Sequence, residues 1–199
     1  MATRKQADRR ADIVAAALSC MARNGYERTS TAQICAAAGV SSGTFFHYFP
    51  TKPAVLAAVL QDGLERTRGV MEGIRSTAAN NAEAALQQWQ EHVLNEAADE
   101  HLAGLAAALG SVPDNAEVAA LLQAETTLTR EVLTELVAAG QHQGTMRSDW
   151  APDRVAAWLE ILANGVLEYA IETGASIPEL RSEMIDVVTR LTVLDDSIR

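Results

Sequence analysis

The amino-acid sequence predicts an all-α protein. Only 5% of its 199 residues are aromatic while alanine is abundant, and this composition favours close-packed helices over sheets. Apolar residues recur at spacings of three and four, whereas the alternation typical of strands persists nowhere. With 48% hydrophobic residues, a chain of this length can bury one large core or two smaller ones. We expect an N-terminal three-helix head, a long fourth helix and a larger helical body.

Glycine, proline and capping residues divide the chain into these helices. A polar, basic arm of residues 1–7, expected to be disordered, precedes a first helix from near Asp8 to Asn24. The fourth helix begins at Lys52 and Pro53 and continues to about Ile74. Five more helices are expected over 83–99, 101–110, 115–143, 152–173 and 178–195. The residues expected to end helices are Gly110 with Pro113, then Gly144, and then Gly174 with Pro178. Asp114 and Glu117 are expected to cap the longest of the five.

The second and third helices are the most strongly determined part of the sequence. Ser30 and Gln33 have the spacing of a capping box, so a helix is expected to begin near Thr31. Gly39 then ends that helix, and Ser41 caps the next one. Two short helices joined by so tight a turn form a helix-turn-helix, in which the second helix can enter a DNA major groove about 12 Å wide.

Charge is distributed unevenly along the chain, and the distribution agrees with this interpretation. Residues 1–52 hold seven basic and three acidic residues, a formal charge of +4, although the whole chain carries −10. The remaining residues hold nine basic and 23 acidic ones, a formal charge of −14. A basic head on an acidic body suits a protein of which one end meets DNA phosphate.

The run AAGVSSGTFFHYF at positions 37–49, with Thr31 before it and Lys52 after it, resembles the tetracycline-repressor (TetR) family of bacterial regulators. The resemblance is specific over about residues 8–60, whereas the rest of the chain is similar mainly in being helical. It implies a DNA-binding domain over 8–52 and an effector-binding and dimerisation domain over 53–199. It also implies that the fourth helix connects the two domains.

The same resemblance implies which side chains contact DNA. Thr31, Tyr48 and Lys52 are expected at phosphate, and Thr44 and Ser42 at base edges. Phe46 stands where many family members have tyrosine, so it is expected at a thymine methyl group or packed internally. The full set of predicted DNA contacts is Thr31, Ser41, Ser42, Gly43, Thr44, Phe46, His47, Tyr48 and Lys52. Because this helix lacks Arg, Lys, Asn and Gln, we expect sparse direct readout and a contribution from DNA shape.

The resemblance further implies that the body holds a small-molecule pocket and a dimer interface. Polar or aromatic residues on its apolar helices are the candidates for the pocket: Trp89, His92, Arg130, Trp158, Asn164 and Tyr169. For each of them singly, ordinary packing or surface exposure is favoured over a role in the pocket. The wide apolar stripes on the last two helices are each compatible with a place in the core, but the resemblance to a family that dimerises through its last two helices implies a four-helix interface between two copies. The residues expected to form it are Leu159, Leu162, Val166, Leu180, Met184, Val187, Val188 and Leu191.

Several other classes of protein are disfavoured. Two cysteines, Cys20 and Cys35, form no disulfide framework and indicate a reducing cytoplasm, and no apolar run reaches the length of a membrane span. No metal site, cofactor motif or catalytic motif is recognisable, so we do not expect an enzyme. The sequence therefore predicts a repressor that an effector releases from a near-palindromic operator. The alternative is an effector-independent DNA-binding or architectural protein.

Overall fold

The structure is a computed structural model that describes residues 2–112 and 114–193, and in these residues it contains only helices. They are α1 (Ala2–Asn24), α2 (Thr31–Ala38), α3 (Ser42–Tyr48), α4 (Lys52–Ala78), α5 (Ala82–Ala97), α6 (Leu102–Leu109), α7 (Ala116–Gln143), α8 (Pro152–Thr173) and α9 (Ile177–Thr192). The all-α fold class is confirmed. Within the described residues, no helix is long and apolar enough to cross a membrane, and no cluster of side chains suits a metal ion.

The predicted helix ends agree with the observed ones to within three residues except at the start of α1 and the end of α4, and the cap of α7 also differs from the predicted one. Helix α1 begins at Ala2, so the expected disordered arm is wrong for residues 2–7, which contain good helix formers and no proline or glycine. The side chains of Arg4 and Lys5 lie outside the described residues, as do Pro113 and Leu194. Helix α4 extends to Ala78. The cap of α7 is Asn115, whose Oδ1 accepts hydrogen bonds from the backbone of Glu117 and Val118, and not the predicted Asp114.

The chain forms two compact units, and neither is a continuous segment. The first comprises Met1–Glu65 and Glu100–Ala124, and the second Arg66–Asp99 and Glu125–Arg199. Two of the three boundaries fall inside α4 and α7, each of which begins in one unit and ends in the other, and the third lies between α5 and α6. The predicted boundary between the DNA-binding domain and the effector-binding domain, at residues 52 and 53, concerns function and not packing, and it stays a prediction.

The core of the first unit joins α1, α2, α3, the beginning of α4, and α6. Its largest fully buried side chains are Ile13, Met21, Ile34, Phe45 and Leu56. Residues from the second segment complete this core, because Ala108 of α6 and Val118 of α7 are buried in the same cluster. Helix α6 therefore belongs to the same packing unit as the helix-turn-helix.

Helices α1 and α6 approach each other closely at Gly104. A Cβ atom on Gly104 would lie 2.7 Å from Ala22 Cα and closer still to the Ala22 carbonyl oxygen. Real Cβ atoms do not approach backbone so closely, so only glycine fits here without movement of one helix. The two backbones are in direct contact at this position.

The core of the second unit contains the rest of α4 together with α5, the second half of α7, α8 and α9. Trp89, which is 1% exposed, and the fully buried Leu133, Leu136 and Leu159 belong to this core. At the end of α9, the Arg147 backbone N–H donates to Thr192 O at 2.7 Å, while its guanidinium pairs with Asp149 and lies over the Trp150 ring. These contacts fix the end of α9 to the α7–α8 connection.

Candidate nucleic-acid interface

Helix α2 and the turn after it are fixed by local hydrogen bonds. Ser30 Oγ accepts from the Gln33 backbone at 3.2 Å, and Gln33 Oε1 accepts from the Ser30 backbone at 2.7 Å, which completes the predicted capping box. Gly39 follows in the left-handed conformation with φ 63°, and the Val40 N–H donates to Cys35 O. A side chain at Gly39 would be strained in this conformation. The turn therefore sets the angle between α2 and α3.

Helix α3 is anchored by one aromatic side chain and presents others to solvent. Phe45 is fully buried, with its ring centroid 5.3 Å from that of Phe46 and 6.0 Å from that of Phe49. Phe46 itself is 52% exposed, so of the two predicted positions it occupies the surface one. Ser41 caps the helix by accepting from the Thr44 N–H at 3.1 Å, and the two hydroxyl groups lie 2.9 Å apart. The Thr44 hydroxyl is thus oriented by its neighbour.

The nine predicted DNA-contacting residues all reach the surface of the first unit. Ser41, Ser42, Gly43, Phe46 and His47 are exposed, and Thr31, Thr44, Tyr48 and Lys52 are partly exposed. The structure brings them together on α2, α3 and the start of α4. The His47 and Tyr48 rings stand edge to face at 5.1 Å. Their contact with DNA stays a prediction, but none of these side chains is withdrawn into the core.

Lys52 has a structural role that its place in the sequence did not indicate. Its ammonium donates to Tyr26 O at 2.9 Å and to Glu27 O at 3.4 Å, and it lies 4.2 Å from the centroid of the Tyr26 ring. Burial, and secondarily the charge of Glu27, raise the pKa of Tyr26, so its ring stays neutral. Lys52 thus joins the start of α4 to the α1–α2 connection.

Two further residues support the interface and were not predicted to do so. Thr29 is 1% exposed, and its hydroxyl lies within hydrogen-bonding distance of both Gly25 O at 2.8 Å and Cys20 O at 3.1 Å, which fixes the chain that leads into α2. The Arg10 guanidinium lies 5.4 Å from the centroid of the Phe49 ring and 3.8 Å from Asp62. The Thr29 contacts reach only four and nine residues back along the chain, whereas the Arg10 contacts join residues far apart in it.

The six predicted pocket residues occupy different environments in the second unit. Trp89 is a core residue, while Trp158 and Tyr169 are 42% and 53% exposed on α8. Arg130 is exposed and pairs with Glu160 at 2.7 Å, and the exposed Asn164 lies one turn further along α8. His92 is half-buried and lies 3.5 Å from Glu96. The structure therefore does not gather these six side chains around one point.

A polar cluster that the sequence did not predict surrounds His92. It joins Thr67, which is 6% exposed and donates to Glu125 at 2.7 Å, to the His92 and Glu96 pair. Burial lowers the pKa of His92, although the charge of Glu125 opposes this effect. Burial, then the charges of Glu125 and Asp99, raise the pKa of Glu96 to about 7. A carboxyl group in this cluster therefore gains or loses a proton near neutral pH.

Replacing Glu96 by glutamine should flatten the dependence of stability on pH. Because the pKa of Glu96 is raised from 4.5 to about 7 in the folded protein, the wild type loses stability as pH rises through that range. The free energy of unfolding of E96Q, taken relative to that of wild type, should therefore be higher at about pH 8 than at about pH 5. Since 41% of the Glu96 side chain is exposed, we expect a gain below about 1 kcal/mol. Urea unfolding at the two pH values measures it. Glu131→Gln, at an exposed position of α7, is the control, and parallel pH profiles for wild type and E96Q would contradict the assignment.

The predicted dimer interface divides into two groups of residues. Leu159, Leu180, Met184 and Val188 are at most 5% exposed within the core of their own unit, so they are not placed to contact a second copy. Val187 is 45% exposed, and Leu162, Val166 and Leu191 are partly exposed. The exposed face of α8 contains other apolar residues: Trp158, Ile161 and Tyr169, with Gly165 between them. Helical periodicity identified the two apolar helices, but it did not indicate which face of each helix packs into the core of its own unit.

Comparison with known proteins agrees with the geometry of α1 to α4. Residues 13–59 match the family described as bacterial regulatory proteins, tetR family. Among solved structures, the chain is similar to reduced NemR of E. coli, with 16% identity, a TM-score of 0.78, and coverage of 94% of this chain and 100% of that one. The chain is also similar to a TetR transcription regulator from Haloarcula marismortui, with 18% identity, a TM-score of 0.80, and coverage of 94% of this chain and 99% of that one. For the fatty acid degradation regulator FadR from Bacillus halodurans, the identity is 23% and the TM-score 0.74, with coverage of 92% of this chain and 94% of that one. No match is found among curated proteins.

Proposed function

We propose that the chain is a TetR-family regulator and, more finely, a sequence-specific repressor that a small molecule releases from its operator; the match of residues 13–59 to the tetR family and the shared fold support this proposal. The observation that carries the proposal is the arrangement of α2 and α3. Both helices are anchored by buried residues, such as Ile34 and Phe45, while the short polar residues at the start of α3 face solvent. A helix held in this way can enter a major groove without unfolding its own support.

The operator should be near-palindromic because the protein should bind as a homodimer. Two copies related by a two-fold axis would present their α3 helices to successive major grooves about 34–36 Å apart. The exposed apolar face of α8 supports this assembly, since Ile161 and Tyr169 are more than half exposed and Gly165 leaves room for close approach. The free thiols of Cys20 and Cys35 suit a reducing cytoplasm, where such an operator lies.

A charge on the exposed face of α8 should dissociate the dimer. Ile161→Glu places a carboxylate where an apolar side chain is to be buried by the second copy, so we expect the dissociation constant of the dimer to rise by about 100-fold. Sedimentation equilibrium measures this constant. Val70→Glu, at a 39% exposed position on α4, is the matched control and should leave the constant unchanged. Equal dissociation constants for wild type and I161E would show that this face is not the interface.

Lys52→Ala should weaken binding to every DNA sequence and lower the slope of log affinity against log salt concentration by about one. The variant should also unfold more easily, by about 1–2 kcal/mol, because the ammonium bonds to Tyr26 O and Glu27 O are lost. Fluorescence anisotropy across a salt series, at a temperature where both proteins are folded, separates the two effects. Lys52→Arg keeps the charge and should keep the salt slope. Equal slopes for wild type and K52A would exclude a phosphate contact.

The effector should act through the second unit by binding one conformation of the protein more tightly than another. Its acidic residues favour a neutral or cationic molecule over an anion. The polar cluster of Thr67, His92, Glu96 and Glu125 supports this preference, because a cation there would reduce the repulsion between the two carboxylates. The alternative, an effector-independent DNA-binding protein, differs in having a DNA affinity that no metabolite changes.

The test is fluorescence anisotropy of the full chain on the DNA upstream of its own gene, beside a shuffled duplex, across a salt series. Tight binding that shuffling abolishes, with a steep salt slope, is the expected result. Equal weak binding to both duplexes would contradict a local operator. Repeating the titration with protein that has been unfolded and refolded removes any co-purified effector, and equal weak binding after this step would contradict the repressor proposal itself.

A further inference from the structure

We infer that the amide of Gln90, on α5, marks a ligand site in the second unit, and that this site takes an uncharged small molecule with an apolar body and one amide group. Gln90 is 6% exposed, although glutamine is mostly a surface residue. The inference rests on the proposed function in one respect, since this ligand would be the effector of the repressor.

Hydrogen bonding separates Gln90 from the other buried polar residues of the described part of the chain, which are three threonines. Thr29, Thr67 and Thr192 each have a hydrogen-bond partner for the hydroxyl group at 2.7–2.8 Å. Among residues 2–112 and 114–193, the side-chain amide of Gln90 makes no hydrogen bond. A buried amide without a partner lowers stability, because it loses its bonds to water on folding.

The Gln90 amide lies where the core is open to a small space. In the described residues, every side-chain nitrogen or oxygen atom that is fully enclosed has a hydrogen-bond partner. Because Gln90 Nε2 and Oε1 have none, both atoms must retain some accessible surface, although the residue is otherwise buried. A small molecule that reaches this space can accept a hydrogen bond from Nε2 and donate one to Oε1. An amide group does both.

The surroundings of Gln90 on α5 are apolar. Leu86 and Leu94 lie one turn before and one turn after it, and Val93 lies on the same face. All three are buried in the core of the second unit, where α5 packs against α8 and α9. A charge bound here would lose its hydration without an opposite charge on this face of α5, which is costly. The site therefore favours an uncharged ligand with an apolar body.

This site differs from the polar cluster around His92. His92 follows Gln90 by two residues, so it projects from α5 about 200° further round the helix. The carboxylates of that cluster, Glu96 and Glu125, are associated with His92 and Thr67. A ligand at Gln90 would therefore be recognised by a neutral amide and not by these acids.

The test is a ligand-observed nuclear magnetic resonance titration on the full chain without DNA. The probes are hexanamide and benzamide, with hexanoate, benzoate and hexylammonium as charged analogues. At least one amide should bind saturably and more tightly than every charged compound. Gln90→Leu should weaken that binding by about tenfold, because it removes two hydrogen bonds to the ligand. The same substitution should raise the midpoint of urea unfolding, because an apolar group replaces a buried amide without a partner.

Gln88→Leu is the matched control, because it makes the same substitution at an exposed position of the same helix. It should bind the amide as wild type does and unfold at nearly the same urea concentration. Absence of binding by both amides, equal binding of a charged analogue, or equal binding by Q90L and Q88L would overturn the inference. A Q90L variant less stable than wild type would also overturn it, since Gln90 would then support the fold. Because no DNA is present, the outcome does not depend on whether an operator is found.

Discussion

Gly104→Ala is expected to lower the free energy of unfolding by about 3 kcal/mol, although alanine is the better helix former. The added Cβ would lie 2.7 Å from Ala22 Cα, and backbone cannot yield as a flexible side chain does. Helix α6 must therefore move away from α1, and Ala108 must leave the core of the first unit. Urea unfolding followed by circular dichroism measures the loss.

Gly110→Ala is the control for this experiment, because it introduces the same methyl group at the end of the same helix. Its Cβ would meet Ala106 O and Ala107 O at 3.7 Å, an ordinary contact distance, in a right-handed conformation. We expect its stability to equal that of wild type or to exceed it slightly. Equal stabilities for G104A and G110A would show that α1 and α6 are not in backbone contact.

Gly43→Glu is expected to reduce specific DNA binding by at least about 100-fold without loss of stability. Gly43 is exposed, and a Cβ there would meet only Ser41 Oγ, at 3.8 Å. The fold therefore accepts a side chain, and a carboxylate in the first turn of α3 interacts favourably with the helix dipole. On DNA, however, the same carboxylate would face phosphate and crowd the groove.

Anisotropy on the operator and thermal unfolding together test this prediction. A misfolded variant would lose both DNA affinity and thermal stability, whereas G43E is expected to lose DNA affinity alone. Gly43→Ala is the control and should keep DNA affinity within a few-fold of wild type. If G43E bound the operator as tightly as wild type, the start of α3 could not face the DNA.

The helix-turn-helix could be predicted from the sequence because its determinants are local. The Ser30 and Gln33 capping box, the left-handed Gly39 and the Ser41 cap each act over three or four residues, and the structure contains all three. The contacts of Lys52 and the closeness of Gly104 to Ala22 could not be predicted in this way. They join positions 25 to 82 residues apart, and nothing in the local pattern indicates the partner.

The apolar stripes of α8 and α9 show a different limit. Periodicity predicted both helices correctly, but an apolar side chain gives no indication of whether its own protomer or a second copy buries it. Met184 and Val188 are buried in their own core, whereas Ile161 and Tyr169, which the predicted interface omitted, are exposed. Only the packing of the whole unit separates the two groups.

The discontinuity of the first unit also constrains how the protein is made. Residues 1–65 leave the ribosome before Ala108 and Val118, which complete their core, so the apolar surface that these two residues cover stays open until about 50 further residues have been synthesised. An N-terminal fragment ending at residue 65 would expose this surface permanently. The head is thus assembled after most of the chain exists, so a truncated product should aggregate instead of occupying operators as an unregulated DNA-binding fragment.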